Sequence, residues 1–225
     1  MKILIVEDEE QLLESISAYL QKEGFICEQA SSYTAAESKL IDYHYDIIVL
    51  DITLPDGSGL DLLKQLKTTH SETGTLIVSA KNSLDDKLKG LDLGADDYIT
   101  KPFHLSELNS RINAIIRRRN FKGETNITFN EIVINPAAMQ VKVNGNEIIL
   151  TKKEYHLILY FVVNKNRVLT KEAIAEHLWG DNIDLADNYD FIYTHIKNLR
   201  KKIEAEGGND YLKTVYGLGY KYAEQ

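Results

Sequence analysis

The chain has a single cysteine, Cys27, in 225 residues. No internal disulfide can form, and one thiol suits a reducing compartment. No run approaches the roughly 20 apolar residues that a membrane-spanning helix requires. The opening MKILIVEDEE sets acids where a secretory signal would continue its apolar stretch. The six histidines have no metal-ligand spacing, which argues against a zinc site. Internal repeats and low-complexity tracts are absent, and so is any excess of positive charge. The formal net charge is −8, with −7 in residues 1–120 and −1 in residues 121–225, so bulk charge does not predict nucleic-acid binding. What remains is 44% hydrophobic and 27% charged, the make-up of an ordinary globular protein. It is expected to be cytoplasmic, with no membrane partner, and long enough for two domains of about 100–120 residues.

The first 120 residues alternate between two hydrophobic periods. Short apolar runs at Lys2–Val6, Asp46–Leu50, Thr75–Ser79 and Asp97–Thr100 read as strands buried on both faces, with Ile26–Ala30 as a weaker fifth. Helical stretches lie near 9–23, 33–43, 58–70, 83–93 and 104–119; in the first, Leu12, Leu13, Ile16 and Leu20 share one face. Five βα units in succession predict an α/β, doubly wound, five-stranded parallel sheet with right-handed crossovers. After the arginine run Arg117–Arg119, residues 120–125 read as a linker. Beyond them β-type segments are separated by the turn signals Asn135-Pro136 and Asn144-Gly145. Helical patterns follow near 151–163, 170–178 and 187–205, and a hairpin over Leu212–Tyr222 turns at Gly217. The division is 1–119, linker 120–125, and a smaller α+β domain at 126–225.

In an open parallel sheet, chemistry collects beyond the carboxyl ends of the strands. Glu7 and Asp8 end the first strand, Asp51 the third and Ser79 the fourth, while the fifth leads into Lys101-Pro102. Three carboxylates in one cleft repel one another unless a cation joins them, and hard oxygen donors suit Mg²⁺. A lysine and a hydroxyl opposite are suited to hold a phosphoryl group.

Glu7-Asp8, Asp51, Ser79 and Lys101-Pro102 resemble, in order and spacing, the constellation of receiver domains in two-component response regulators. Leu54-Pro55-Asp56-Gly57-Ser58-Gly59 and Gly94-Ala95-Asp96-Asp97-Tyr98 extend the likeness. The resemblance implies a flavodoxin- or CheY-like receiver whose Asp51 is phosphorylated by a sensor histidine kinase. It implies Mg²⁺ held by Asp8, Asp51 and the Thr53 carbonyl, with Glu7 acting through water. It further implies that Lys101 and Ser79 contact the phosphoryl oxygens, that Ser79 and Tyr98 form a hydroxyl–aromatic switch, and that Thr53 and Lys81 tune phosphoryl lifetime. Turnover is not expected beyond self-phosphorylation and self-dephosphorylation.

The second half is similar to the winged helix of the OmpR/PhoB subfamily. The similarity is carried by Thr151–Leu159, Val168–Lys171, His177–Gly180, Thr194–Lys202 and Thr214–Tyr220. That subfamily implies a homodimer, when phosphorylated, through the fourth helix, fifth strand and fifth helix. The matching charges are Lys87 with Glu107, Asp97 with Arg111, and Asp96 with Arg118, paired across a two-fold axis. In the 187–205 helix, Ile192, Ile196, Leu199 and Ile203 fall on one face, and Thr194, Lys197, Asn198 and Lys201 on the other. The outer face unites cations for phosphates with an amide suited to an adenine edge. Thr194, Lys197, Asn198, Arg200, Lys201 and the wing residue Tyr216 are the expected contacts to promoter DNA. Two departures stand out. Tyr216 replaces the subfamily's usual wing arginine, and Tyr193 and Asn198 replace an acid and, often, an arginine, so operator preference does not transfer.

Three other readings compete. A phosphatase using an aspartate nucleophile needs a second Asp two residues on, and Glu7-Asp8-Glu9 does not supply it. A regulator that binds DNA without phosphorylation loses pocket residues, and none is missing here. A third has the wing engage RNA polymerase and not DNA, which footprinting separates.

Overall fold

The computed structural model describes residues 1–80, 84–121, 126–136, 138–180, 183 and 189–224. The chain divides into two compact units, Met1–Gly123 and Glu124–Gln225.

The first unit is built on β1 (Lys2–Val6), β2 (Ile26–Ala30), β3 (Ile47–Asp51), β6 (Gly74–Ser79) and β7 (Asp97–Thr100). These lie in the spatial order β2-β1-β3-β6-β7, all parallel. Every residue of β1, β3 and β6 is buried, which explains why those stretches are continuous apolar runs without alternation. Helices α1 (Glu10–Lys22), α2 (Tyr33–Asp42), α3 (Gly59–Thr69) and α4 (Leu84–Asp92) connect them, and α5 (Leu105–Phe121) follows the last strand. The apolar stripe of α1 buries Leu13, Ile16 and Leu20, with Leu12 half-buried. Ser32 caps α2 through Ala35 N–H, and Ser58 caps α3 through Leu60 N–H. Helix α5 continues to Phe121, two residues into the stretch expected to be a linker; residues 122–125 lie outside the described residues.

One short element was not anticipated. Between β3 and α3, β4 (Thr53–Leu54) and β5 (Gly57–Ser58) form a small antiparallel hairpin. At its end, an ideal Cβ on Gly59 would lie 2.0 Å from the carbonyl oxygen of Asp51. The Gly59 N–H donates to the Ile52 carbonyl at 2.8 Å, so the backbone doubles back tightly under Asp51. Only glycine fits there.

The second unit opens with a four-stranded antiparallel sheet of β8 (Ile127–Phe129), β9 (Ile132–Asn135), β10 (Gln140–Val143) and β11 (Asn146–Ile148). Helix α6 (Lys152–Val163) starts with a full capping box, Thr151 with Glu154. Then follow β12 (Val168–Thr170), α7 (Lys171–Trp179), α8 (Asp190–Ala205), β13 (Leu212–Val215) and β14 (Gly219–Tyr222). The last hairpin pairs with β12, giving the order β12-β14-β13. Helix α8 buries Ile192, Ile196, Leu199 and Ile203, the face read from the sequence. Its expected first residues, 187 and 188, lie outside the described residues. Trp179 is half-buried, with Phe191 at 4.6 Å and His195 at 5.4 Å between ring centroids. It joins the end of α7 to α8.

Candidate functional site

Strand order and register assemble the acidic pocket. Because β1 lies between β2 and β3, the strand order reverses at β1, and the crevice opens at the carboxyl ends of β1 and β3. Val6 is level with Leu50, Leu50 with Ile77, and Ile77 with Tyr98. One residue further along, Glu7 and Asp51 fall side by side. Another step brings Asp8 and Ser79 to the same edge, with Lys101 following Thr100, the partner of Ser79.

The side chains converge as that register requires. Ligand oxygens of Glu7, Asp8 and Asp51 all lie within 4.8 Å of one another. Glu7 and Asp51 are buried, whereas Asp8 is exposed at the mouth. Lys101 Nζ reaches between them, 2.6 Å from Glu7 Oε1 and 2.6 Å from Asp51 Oδ2. The Thr53 N–H donates to the other Asp51 oxygen, Oδ1, at 2.9 Å. The Asp51 carboxylate is therefore gripped on both oxygens in a fixed orientation. Burial pushes the Glu7 carboxyl above its usual range, partly offset by Lys101 and reinforced by the Asp51 charge. Burial alone would lower the Lys101 pKa, but its bonds to Asp51 and Glu7 outweigh that and raise it. Three carboxylates against one ammonium leave a negative pocket of hard oxygens with one open side. This donor set fits Mg²⁺, which takes oxygen ligands and retains waters.

Ser79 is fully buried, and Tyr98 is 8% exposed with its phenol hydrogen-bonded to Ser79. The switch pair expected from the sequence is thus in direct contact, with Tyr98 packed inward. Gly90 of α4 lets the helix pack closely on the sheet: its ideal Cβ would be 2.5 Å from Ile77 Cδ1. Lys81 lies outside the described residues.

Residues 3–113 match the response regulator receiver domain family, and residues 145–222 match the C-terminal domain of transcriptional regulatory proteins. The transcriptional regulatory protein BasR of Escherichia coli is 38% identical over 98% of this chain and 96% of its own length. The chain belongs to the two-component response regulators. The cell cycle response regulator CtrA of Brucella ovis is 40% identical over all of this chain and 96% of its own. A two-component response regulator from Clostridium difficile superposes with a TM-score of 0.51 at 30% identity, covering 53% of this chain and 98% of that one. The regulator combines a receiver with a DNA-binding domain. The response regulator family consists of phospho-accepting regulators rather than conventional enzymes. Receivers of this family bind Mg²⁺ at an acidic pocket, and the two domains together imply a kinase and promoter DNA as partners. Among the described residues, no helix is long and apolar enough to cross a membrane.

On the receiver, five of the six charges expected to meet across a two-fold axis, Asp96, Asp97, Glu107, Arg111 and Arg118, have partners within the chain. Arg111 bonds Asp97 at 3.0 Å and Glu107, one helical turn back, at 2.8 Å. The Asp96 carboxylate accepts from Thr75 N–H at 2.8 Å and pairs with Arg119 at 2.8 Å and Lys67 at 3.6 Å. Arg118 donates to the Asp96 carbonyl oxygen at 3.0 Å. Lys87 is half-buried on α4, and Leu88 and Leu91 beside it are exposed.

In the DNA-binding domain, Thr194, Lys197, Asn198 and Lys201 are exposed on the outer face of α8, and Tyr216 is 94% exposed at the hairpin tip. Arg200, expected to contact DNA, is engaged within the domain. Its guanidinium pairs with Asp210 at 3.1 Å and donates to the Leu212 carbonyl, while Asp210 accepts from Leu212 N–H at 2.9 Å. The physical reason is angular: Arg200 sits at the border of the buried face, next to Leu199 and against the hairpin. Lys202 is likewise turned inward, 2.6 Å from the buried carboxylate of Glu154. Sequence reasoning did not find Glu154, Asp210 or Gly59. The capping-box spacing of Thr151 and Glu154 and the second glycine of Gly57-Ser58-Gly59 were the available signals.

Proposed function

We propose that Asp51 takes a phosphoryl group from a sensor histidine kinase and that the resulting charge controls dimerisation and promoter binding. The observation that carries this reading is the in-register convergence of Glu7, Asp8, Asp51, Ser79 and Lys101 at the carboxyl edge of the sheet. Phosphoryl transfer has a loose transition state, so positioning and charge neutralisation do most of the work. Thr53 N–H and Lys101 orient the Asp51 carboxylate, and Lys101 remains beside it to pair with the incoming oxygens. Glu7, Asp8, Asp51 and the Thr53 carbonyl would hold Mg²⁺, which when bound neutralises charge on the phosphoryl oxygens. Ser79, at the next register position, hydrogen-bonds a phosphoryl oxygen. Its bond to the Tyr98 phenol couples that event to α4 and β7.

Two copies then associate through α4, β7 and α5, with Lys87 meeting Glu107, Asp97 meeting Arg111, and Asp96 meeting Arg118. The exposed Leu88 and Leu91 lie on the same face. Exposed ion pairs contribute only about 0–1 kcal/mol each, so their role is to select which surfaces meet. Pairs within the chain compete with pairs between chains. Linking two weakly binding DNA-reading domains then raises affinity by effective concentration. In each, Thr194, Lys197, Asn198 and Lys201 enter the major groove, and Tyr216 contacts the flanking minor groove.

The test is intact mass spectrometry after incubation with phosphoramidate, with and without Mg²⁺, beside an Asp51→Asn variant. The expected result is a Mg²⁺-dependent phosphoryl adduct that the variant lacks. An adduct on both proteins, or on neither, refutes the assignment.

A further inference from the structure

The DNA-facing surface of this regulator carries few cations and several exposed apolar groups. Of the basic cluster Lys197, Arg200, Lys201 and Lys202, Arg200 is held by Asp210 and Lys202 by Glu154. Lys197 and Lys201 are the two cations of the cluster that face outward, on a face that also exposes Asp190 and Glu204. Besides Asp190, the outward groups of the first three turns are Tyr193, 58% exposed, with Thr194, Lys197 and Asn198. No guanidinium is among them to fork onto a guanine. The hairpin repeats the pattern. Lys213 and Lys221 face each other at its base, where Lys213 donates to the Glu224 carbonyl. The tip is Tyr216-Gly217-Leu218, with Tyr216 94% and Leu218 61% exposed. Arg200 of α8 pairs with Asp210 and donates to the Leu212 carbonyl of β13, so the helix is tied directly to the base of the hairpin.

Apolar groups at this density are costly in water unless a partner covers them. Thymine methyls are the apolar feature of the major groove, and the edge of adenine matches the Asn amide. In the minor groove, apolar side chains can wedge between base steps, most easily where flexible A·T steps give way.

We propose that this chain reads an A·T-rich operator largely by apolar contact. Tyr193 and Thr194 lie on thymine methyls and Asn198 on an adenine edge. Tyr216 and Leu218 occupy the minor groove of flanking A·T pairs, and Lys197 and Lys201 meet phosphates. This inference rests on the DNA-binding reading above and specifies its target.

The test uses the full chain, activated with phosphoramidate and Mg²⁺, to select duplexes from a random pool, followed by anisotropy titrations. The expected half-sites are A·T-rich. Replacing their thymines by deoxyuridine, which removes only the methyl, weakens binding about fourfold per contacted base, the worth of one buried methyl-sized group. Tyr193→Ala narrows that thymine-over-uracil discrimination, because it weakens binding to the thymine duplex more than to the deoxyuridine duplex. Tyr216→Lys steepens the dependence of log K on log salt by about 0.9 per protomer, the increment for one more neutralised phosphate. A G·C-rich consensus, or equal affinity for thymine and uracil duplexes, overturns this inference and leaves DNA binding intact. Retention of no duplex at all overturns both.

Discussion

Replacing Lys101 by methionine tests the electrostatics of the pocket. Lys101 is the ammonium that touches both Glu7 and Asp51, each at 2.6 Å. Its own side chain is 18% exposed, and those of Glu7 and Asp51 are 2% and 6% exposed. Removing one partner of a buried pair costs about 3–5 kcal/mol, because the remaining charges lose their compensation. Glu7 limits the loss. Its carboxyl is already raised by burial and, without Lys101, rises further, so it takes up a proton as pH falls. A carboxylate whose folded pKa exceeds its unfolded value lowers stability as pH rises through that folded value. The variant should therefore lose about 3–5 kcal/mol at pH 8 and distinctly less at pH 5.5. With a urea slope of about 1–3 kcal/mol per molar, the receiver midpoint moves down by about 1–5 M. Far-UV circular dichroism follows both domains. The chain's one tryptophan, Trp179, lies in the second unit, so its fluorescence serves as an internal control that should not move. Added Mg²⁺ should restore more stability to the variant than to the parent, since the cation compensates the same carboxylates. A receiver midpoint unchanged at pH 8, or a loss that grows towards pH 5.5, would refute the reasoning.

Three further outcomes follow from the geometry. Gly59→Ala drives a methyl onto the Asp51 carbonyl; it should cost about 1–3 kcal/mol and abolish phosphoryl uptake by mass spectrometry, whereas full uptake would show that the turn is yielding. Burial would raise the Glu154 carboxyl, but Lys202 and Thr151 outweigh it and hold it below the usual glutamate range. Its contribution to the DNA-binding domain is thus present at neutral pH and lost as pH falls through that depressed value. Glu154→Gln should cost about 1.5–3 kcal/mol at pH 7, the worth of a hydrogen bond to a charged group, and flatten the acid limb of Trp179-monitored unfolding. Burial pushes the Cys27 thiol up to about 12, so iodoacetamide at pH 8 should alkylate the native protein on the order of a thousandfold more slowly than the unfolded chain; comparable rates in both states would contradict a shielded thiol.

The sheet was legible because β1, β3 and β6 are buried on both faces and must be apolar throughout. The pocket was legible because its residues stand at the ends of those strands, where parallel register aligns them without further information. The outer face of α8 followed from a strict helical period over Ile192, Ile196, Leu199 and Ile203. Other features depend on partners far along the chain. Lys202 meets Glu154 at a separation of 48 residues, and Arg119 meets Asp96 at 23, and no local pattern distinguishes such cations from solvated ones. Arg200 is a similar case: in sequence it belongs to a basic cluster, and in space it pairs with the start of the hairpin. The β4–β5 hairpin has two-residue strands, too short to display a period.

The inward anchoring of Arg200 and Lys202 has an evolutionary side. These two side chains tie α8 to Glu154 of α6 and to the base of the hairpin. In the proposed reading, anchoring and readout thus fall to separate residues. Operator preference can drift, or be redesigned, through positions 193, 194, 197, 198 and 216 while the frame that presents them stays fixed. A paralogue carrying the same two anchors would accept those five side chains as a graft, and the graft would bring its promoter choice with it.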